Sequence, residues 1–158
     1  MNLVIGVSDA KTSSRSEDVL TTHALGSCIG VALYDPVAGA AGLLHFQLPT
    51  STLDADRARE RPFMFADTGM HLILKQMERL GADRKRLRIR LAGGAKILDD
   101  QGLFNIGRKN HVAIRKIFFD YGMFIEKESV GGTEPVTMHF HVNGGEVVLK
   151  RGGQLTTL

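Results

Sequence analysis

Two apolar segments joined by an Asp-Pro turn constrain the fold of this chain more than any other feature. Residues 29–34 alternate bulky and small apolar side chains, and residues 41–47 form a second, mostly apolar run. Asp35 and Pro36 open the intervening turn 35–38, at the two positions where a type I turn prefers these residue types. The pattern therefore predicts a β-hairpin whose turn centres on residues 36 and 37.

The same hairpin brings a thiol towards an imidazole. Cys28, the single cysteine of the chain, directly precedes the first strand, and His45 lies in the second. A turn centred on residues 36 and 37 pairs Cys28 with His45 on one face of the sheet, with Cβ atoms about 5 Å apart. A register shift of one residue would put the two side chains on opposite faces. The hairpin thus predicts a Cys-His pair, provided that this register is right.

A Cys-His pair can act as a nucleophile and its base. An ordinary thiol has a pKa of about 8.5, and a neighbouring imidazole can take its proton and later protonate a leaving group. Loop N–H groups near Gly26 and Ser27 could stabilise an oxyanion, and the hydroxyl of Thr22 could orient the histidine. A lone cysteine at the start of a strand is nevertheless more often a small buried hydrophobe. The residues alone therefore leave both interpretations open.

Length and composition limit the classes of protein to which the chain can belong. With 158 residues and 43% apolar side chains, we expect one domain over residues 1–158 with a substantial core. One cysteine excludes an internal disulfide and a cysteine-rich zinc site. The N-terminus has the pattern of a strand rather than a signal peptide, and no segment approaches the ~20 apolar residues of a membrane span. We therefore expect a cytoplasmic protein, and few aromatic residues argue against nucleic-acid binding.

The remaining periodicity predicts a chain in which strands dominate and two helices intervene. Helices are predicted over residues 63–80 and 106–121, each with an apolar stripe at helical spacing and a following glycine. The balance of elements indicates an α+β fold, a layered α/β sandwich whose mixed, mostly antiparallel sheet carries both helices. Besides the central hairpin, the predicted strands cover residues 3–7, 18–22, 87–91, 123–130, 136–142 and 146–151.

Two polar segments admit more than one interpretation. Residues 50–62 are long and polar for a connector, which fits a mobile flap, a partner-binding loop or a plain solvated loop. Arg86, Arg88 and Arg90 alternate with apolar residues, so they line one face of a strand. Such a row is more often the solvated side or the edge of a sheet than a site for an acidic partner. Residues 11–17 are predicted to be a polar connector.

Neither the histidines nor the glycines outside the hairpin define a site by themselves. His139 and His141 share a face of a strand and could ligate a metal, but no third ligand is indicated and a solvated face explains them better. Gly93 and Gly94 follow a strand and could line a pocket or simply form a tight turn. No glycine pair has the sequence context of a phosphate-binding loop. We therefore expect no metal or nucleotide cofactor.

Several segments together resemble the CheD family, the chemoreceptor glutamine deamidases of bacterial and archaeal chemotaxis. The most specific are residues 22–28, which contain a Leu-Gly-Ser-Cys sequence, and residues 42–49, which contain His45. The resemblance covers nearly the whole chain. Further matches lie at residues 35–36, 65–68, 91–95, 105–110 and 131–132.

Membership of this family implies both a reaction and the residues that perform it. By resemblance, Cys28 is the nucleophile, His45 the base and acid, and Thr22 the orienting hydroxyl, in a layered fold related to toxin-type Cys-His deamidases. Family members hydrolyse glutamine side-chain amides of methyl-accepting chemoreceptors to glutamate and release ammonia. They need no metal or organic cofactor, and some also act as methylesterases.

The resemblance also implies partners. The receptors are the expected substrates, so contact with the membrane is indirect, and the usual regulatory partner is the CheC phosphatase. The alternative is a catalytically minor interaction module that binds a CheC-type phosphatase and receptors. One position departs from the family, since Val136 stands where an arginine is common. This difference would bear on receptor choice if the arginine contacts the receptor.

Overall fold

The computed structural model describes residues 1–97 and 105–158. The helices are α1 (Ala55–Glu60), α2 (Ala66–Arg79) and α3 (Ile106–Asp120), with short 3-10 helices at Ser51–Leu53, Pro62–Met64 and Arg84–Arg86. None of the helices in this described part has the length and apolar character needed to cross a bilayer. The strands are β1 (Asn2–Val4), β2 (Asp9–Ser13), β3 (Val19–Leu25), β4 (Ile29–Asp35), β5 (Ala40–Phe46), β6 (Arg88–Gly93), β7 (Ile125–Val130), β8 (Val136–His141), β9 (Val147–Arg151) and β10 (Gln154–Thr157).

These strands form two sheets of five strands each. The central sheet has the order β2-β5-β4-β6-β7, and the outer sheet has the order β1-β3-β8-β9-β10. The pairs β1–β3 and β6–β7 are parallel, and the other pairs within the described strands are antiparallel. The prediction of an α+β fold with mostly antiparallel pairing is therefore confirmed, whereas the single sheet that it assumed is wrong.

Side-chain alternation in the central hairpin explains how the layers stack. β4 and β5 are buried along their whole length. Val31 and Leu33 pack with helices α2 and α3, whereas Ala32 and Tyr34 pack with the outer sheet. The central sheet thus has one apolar core on each face, between the helices and the outer sheet. Strands without a polar face are what a sheet covered on both sides requires.

The two long helices follow the predicted apolar stripes. In α2, Ile73 and Met77 are buried four residues apart, and Ile114 and Phe118 repeat this spacing in α3. α3 ends just before Gly122, whose φ of 70° belongs to the left-handed conformation that terminates many helices. Both helices therefore turn one apolar face towards the central sheet.

Two strands escape prediction because their sequences are polar. β2 falls largely in the predicted connector and pairs with β5 at an edge of the central sheet. β10 is exposed along its length and pairs with β9 at an edge of the outer sheet. An edge strand with little buried surface needs little apolar alternation, so its sequence carries only a weak signal.

The polar segment 50–62 contains helical structure, so its interpretation as a plain solvated loop is wrong. It contains α1, where the side chain of Asp54 accepts a hydrogen bond from the Arg57 N–H at the start of the helix. The backbone N–H and the hydroxyl of Ser51 both donate to the carboxylate of Asp67 in α2. These contacts tie the segment to the helix layer.

The row of arginines does not lie at a sheet edge, because β6 lies between β4 and β7. Arg88 forms an ion pair with Glu126 on the neighbouring strand. Arg90 is only 4% exposed, donates to the carbonyl of Gly145 and stacks over the ring of Phe140 at 5.8 Å. The expectation of a solvated face is therefore wrong for Arg90, whose side chain links the two sheets.

A buried carboxylate fastens the central hairpin at its turn. The side chain of Asp35 accepts hydrogen bonds from Arg86 and from the backbone N–H groups of Val37, Ala38 and Asp83. Burial by itself would raise the pKa of Asp35, but these hydrogen bonds outweigh it and hold the pKa well below its usual range. The carboxylate therefore stabilises the fold at neutral pH.

We expect replacement of this carboxylate to destabilise the chain. Asp35→Asn should lower the free energy of unfolding by roughly 2–4 kcal/mol at pH 7, because it leaves a half-buried guanidinium and several N–H groups without their charged acceptor. The carboxylate adds to the free energy of unfolding above its unfolded pKa of about 4, and this stabilisation is lost as the pH falls below that value.

Urea unfolding between pH 7 and pH 2 measures the effect. The wild type should lose its advantage over Asp35→Asn across the acidic part of this range. Glu126→Gln is the control, since it breaks an exposed ion pair and should cost about 1 kcal/mol or less. A constant difference between wild type and Asp35→Asn at all pH values would contradict this account.

Candidate active site

A hydrogen bond between the two sheets joins Thr22 and His45. Thr22 lies in β3 of the outer sheet and His45 in β5 of the central sheet, and both are almost fully buried. Thr22 Oγ1 lies 2.8 Å from His45 Nδ1 and 2.8 Å from the carbonyl oxygen of Ile5. The side chains that the resemblance assigns to orientation and to base catalysis are therefore in direct contact.

The neighbour on the other side of Thr22 determines the tautomer of His45. A hydroxyl has one hydrogen, and the Ile5 carbonyl can only accept it. Thr22 therefore donates to Ile5, so His45 Nδ1–H must donate to Thr22 Oγ1. This assignment leaves His45 Nε2 as the unprotonated nitrogen of the ring.

The second ring nitrogen, Nε2, makes no hydrogen bond in the described part of the chain. His45 Nε2 is buried and has no hydrogen-bond partner within residues 1–97 and 105–158. Burial lowers the pKa of His45 to about 4, and the nearby charge of Asp9 opposes this only in part. At neutral pH the imidazole is uncharged, with a lone pair on Nε2 that can accept a proton.

The register of the hairpin differs from the prediction. His45 pairs with Gly30 rather than with Cys28, because the turn has four residues between Asp35 and Ala40 instead of two. Cys28 lies two residues before Gly30, outside β4, and among the described residues no hydrogen bond joins its sulfur to His45 Nε2. Gly30 faces the outer sheet, where an added Cβ would meet the side chain of Met138. Cys28 packs against the same intersheet core, in a bend just before β4.

Three consecutive carbonyl groups hold the loop that carries Cys28. The carbonyl of Gly26 accepts from Ala95 N–H at 2.8 Å, and that of Cys28 accepts from Gly94 N–H at 2.8 Å. Between them, the carbonyl of Ser27 accepts from Asn110 Nδ2 at 3.0 Å. The loop backbone is thus fixed by a turn and a helix that lie far away in the sequence.

The turn after β6 can approach this loop only because it consists of glycines. Gly93 has φ 105°, and a Cβ there would lie 2.3 Å from the carbonyl oxygen of Cys28. Gly94 has φ 61° and lines a cavity next to Cys28. Of this pair, Gly94 lines the cavity, and Gly93 allows the close approach of the two backbones.

An open cavity of about 640 Å³ exposes Cys28 to solvent. The first turn of α3 forms one wall, and the glycine-rich segments form the others. His111 and Glu128 are paired at 2.6 Å, and His111 lines the same cavity. The residues lining this cavity are Gly26, Ser27, Cys28, Gly94, Ala95, Lys96, Ile97, Asn105, Ile106, Gly107, Arg108, His111, Val130, Gly131 and Gly132.

Burial keeps the thiol protonated at rest. It raises the pKa of Cys28 to about 11, although a hydrogen bond from the residue's own backbone N–H acts in the opposite direction. A thiol with this pKa and an imidazole with a lowered pKa are both neutral at pH 7. The resting state of the two groups therefore differs from the sequence-based expectation of a thiolate formed by the imidazole.

The other candidate residues lie elsewhere or have structural roles. Val136 is buried in the intersheet core, which is a reason for an apolar residue at this position. His139 Nδ1 lies 3.2 Å from the hydroxyl of Thr21 on the neighbouring strand. In the described part of the chain, no group of three or more His, Cys, Asp or Glu side chains is arranged to hold a metal, so His139 and His141 lack the third ligand that the metal hypothesis requires.

Asn110 is the residue of this region that analysis of the residue pattern misses. It is fully buried in α3 and bonds to the loop of Cys28 and to the segment after His45. One signal was present in the sequence, because Asn110 precedes Ile114 and Phe118 by four and eight residues. A polar residue in phase with the apolar stripe of a helix points to a buried polar contact.

Comparison with known proteins gives a consistent family. Residues 47–151 match the family model described as CheD chemotactic sensory transduction, a segment that begins after His45. A "Probable chemoreceptor glutamine deamidase CheD" of Solibacter usitatus is 43% identical over 96% of this chain and 90% of its own length. One from Syntrophus aciditrophicus, "Probable chemoreceptor glutamine deamidase CheD 1", is 43% identical over 96% of this chain and 95% of its own. One from Archaeoglobus fulgidus is 39% identical over 97% and 96%, respectively. The chain therefore belongs to the CheD family.

Proposed function

We propose that this chain is a protein-glutamine deamidase that converts glutamine side chains of methyl-accepting chemoreceptors to glutamate during chemotaxis adaptation. The observation that carries the proposal is the buried contact between Thr22 and His45, which leaves Nε2 as a free base in the layer where Cys28 packs. The names of the relatives, chemoreceptor glutamine deamidases, support the same substrate class.

In the first half of the reaction, Cys28 is the nucleophile and His45 the base. As Sγ bonds to the amide carbon of the substrate, the thiol proton moves to His45 Nε2 and the carbonyl electrons move to oxygen. The imidazolium then gives this proton to the amide nitrogen. The carbon–nitrogen bond breaks, ammonia leaves, and the glutamyl group remains on Cys28 as a thioester.

In the second half, water replaces ammonia. His45 Nε2 takes one proton from water as its oxygen bonds to the thioester carbon. The carbon–sulfur bond breaks and the sulfur recovers the proton from the imidazolium. Overall, glutamine and water give glutamate and ammonia, and the chain returns to its starting state. Each proton in this sequence is moved by His45, so no cofactor is needed.

The neutral resting pair suits this sequence of steps. Burial disfavours charge on both Cys28 and His45, as their pKa values indicate. The charges therefore arise only in the reaction, where loop N–H groups near Gly26 and Ser27 would meet the oxyanion. Electrostatic stabilisation by such preorganised donors is commonly the largest single contribution to acyl transfer.

The expected partners follow from the family. The substrates would be the cytoplasmic helices of receptors, so the chain would meet the membrane only through them. A CheC-type phosphatase as a regulator remains a prediction, as do a single domain over residues 1–158 and a relation to toxin-type deamidases. The alternative function is an interaction module for these partners. A free imidazole nitrogen in a buried layer favours the enzyme, since binding alone does not require it.

Deamidation of a receptor fragment tests the proposed function. We expect the wild-type chain to raise the mass of particular receptor peptides by about 1 Da per amide converted to acid. Cys28→Ala and His45→Ala should each reduce the rate by roughly 10³-fold or more, because the nucleophile or its base is lost. His71→Ala is the matched control, because His71 is an exposed histidine of α2 and should leave the rate unchanged.

Two outcomes would overturn the proposal. Equal mass gain with wild type and Cys28→Ala would remove the nucleophile. A receptor fragment that binds the wild type but stays unchanged would favour the interaction module instead.

The pH dependence of Cys28 alkylation tests the neutral resting pair. Because burial raises the pKa of the thiol to about 11, iodoacetamide should react slowly at pH 7 and faster with each rise in pH to at least pH 10. The same chain unfolded in urea is the control, and its rate should level off above a pKa of about 8.5. A rate that is already constant below pH 7 in the folded chain would instead indicate a resting thiolate–imidazolium pair.

A further inference from the structure

Asn110 connects the two chain segments on which the proposed reaction depends. Its side chain is completely buried in α3, and Nδ2 donates to the carbonyl of Ser27 at 3.0 Å and to that of Gln47 at 2.9 Å. Ser27 directly precedes Cys28, and Gln47 follows His45 by two residues. Both hydrogens of Nδ2 are therefore used, one for the segment that carries Cys28 and one for the segment that follows His45.

The bond to Ser27 also fixes the direction of a particular N–H group. The peptide bond between Ser27 and Cys28 is planar and trans, so its carbonyl and its N–H point in opposite directions. With the carbonyl held by Asn110, the Cys28 N–H must point away from α3. It lies close enough to the sulfur of Cys28 to favour the thiolate.

No backbone carbonyl of the described residues accepts this N–H. The carbonyls of Gly26 and Cys28 are bound by Ala95 and Gly94. Among bonds between described residues, neither Ser27 N–H nor Cys28 N–H donates to a backbone carbonyl. An N–H beside a nucleophilic sulfur, with no carbonyl acceptor in the described part of the chain, has the geometry that an oxyanion hole requires.

We propose that Asn110 is a positioning residue that sets the Ser27–Cys28 peptide so that the Cys28 N–H stabilises the oxyanion. The inference rests on the proposed function, because the oxyanion is that of the glutamine amide. Asn110 itself does not touch the substrate. Through Gln47 it also holds the end of the strand that carries His45, so one amide keeps nucleophile, oxyanion donor and base in a fixed relation.

A purely structural role explains less of the contact pattern. The Oδ1 atom of Asn110 is buried and has no partner in the described part of the chain. An unpaired buried acceptor costs free energy that an apolar side chain would not. What distinguishes asparagine here is the pair of donors, and both are aimed at the segments that carry Cys28 and His45.

Kinetics separate positioning from stability. Asn110→Leu keeps the approximate size and removes both donors, and Asn110→Ser keeps one donor in a smaller side chain. Phe118→Leu is the control, because it loosens the core contact of the same helix without touching the loop. Each variant is assayed for receptor-fragment deamidation and for alkylation of Cys28 by iodoacetamide, at a temperature where unfolding curves show it to be folded.

We expect Asn110→Leu to reduce kcat by roughly 10–100-fold with little change in KM, because the oxyanion forms only in the transition state. Asn110→Ser should lie between this variant and the wild type. Alkylation should stay within about threefold of the wild type, since displacement of iodide develops no oxyanion. Phe118→Leu should keep both rates.

Each other outcome gives a clear decision. If Asn110→Leu keeps the kcat of Phe118→Leu, or if kcat and alkylation fall by the same factor, the inference is overturned. If Asn110→Leu does not fold, Asn110→Ser decides by the same criteria.

If the wild type does not deamidate the fragment, the proposed function fails, and a peptide carrying glutamate γ-semialdehyde decides about Asn110. The thiol of Cys28 adds reversibly to this aldehyde and its proton moves to the carbonyl oxygen. The hydroxyl of the resulting hemithioacetal would lie where the oxyanion forms, so wild-type binding should exceed that of Asn110→Leu, and equal binding would overturn the inference.

Discussion

The hydrogen bond between Thr22 and His45 is the contact on which the rest of the site depends, because it crosses from one sheet to the other. The outer sheet contributes the hydroxyl and the Ile5 carbonyl that fixes its hydrogen, and the central sheet contributes the imidazole. Stacking of the two sheets therefore sets the tautomer of His45. Everything that stabilises the layers, including the Asp35 contacts at the turn of the central hairpin, also preserves this tautomer.

Burial gives the site its electrical character. The same apolar layers that hold Cys28 and His45 oppose a charge on either residue, so the pair rests as thiol and imidazole. In the proposed reaction, N–H groups of the Cys28 loop, which Asn110, Gly94 and Ala95 hold through its carbonyls, would stabilise the new negative charge. The proposed catalysis therefore depends on a preorganised backbone rather than on an activated resting thiolate.

Much of this arrangement can be predicted from the sequence, and the failures have physical causes. Alternation around Asp35 defines the central hairpin. The sequence predicts a turn with two central residues, whereas the structure has four residues between Asp35 and Ala40, including Gly39 in the left-handed conformation. The register differs by two residues from the prediction, so Gly30 rather than Cys28 lies opposite His45. The residue pattern offers Thr22 only as a possible orienting hydroxyl, and the resemblance assigns that role, since spacing along the chain cannot reveal a partner on another sheet. Asn110 lies on the buried face of a helix, where the residue pattern predicts apolar packing rather than a contact with the site.

The tautomer of His45 is the most direct measure of the central claim, and nitrogen NMR of the histidine-labelled chain reports it. A His45→Ala variant assigns the signals among the six histidines. We predict a proton on Nδ1 and a bare Nε2 at neutral pH, with the ring becoming charged only near pH 4. A proton on Nε2, or a ring already charged at neutral pH, would contradict the account.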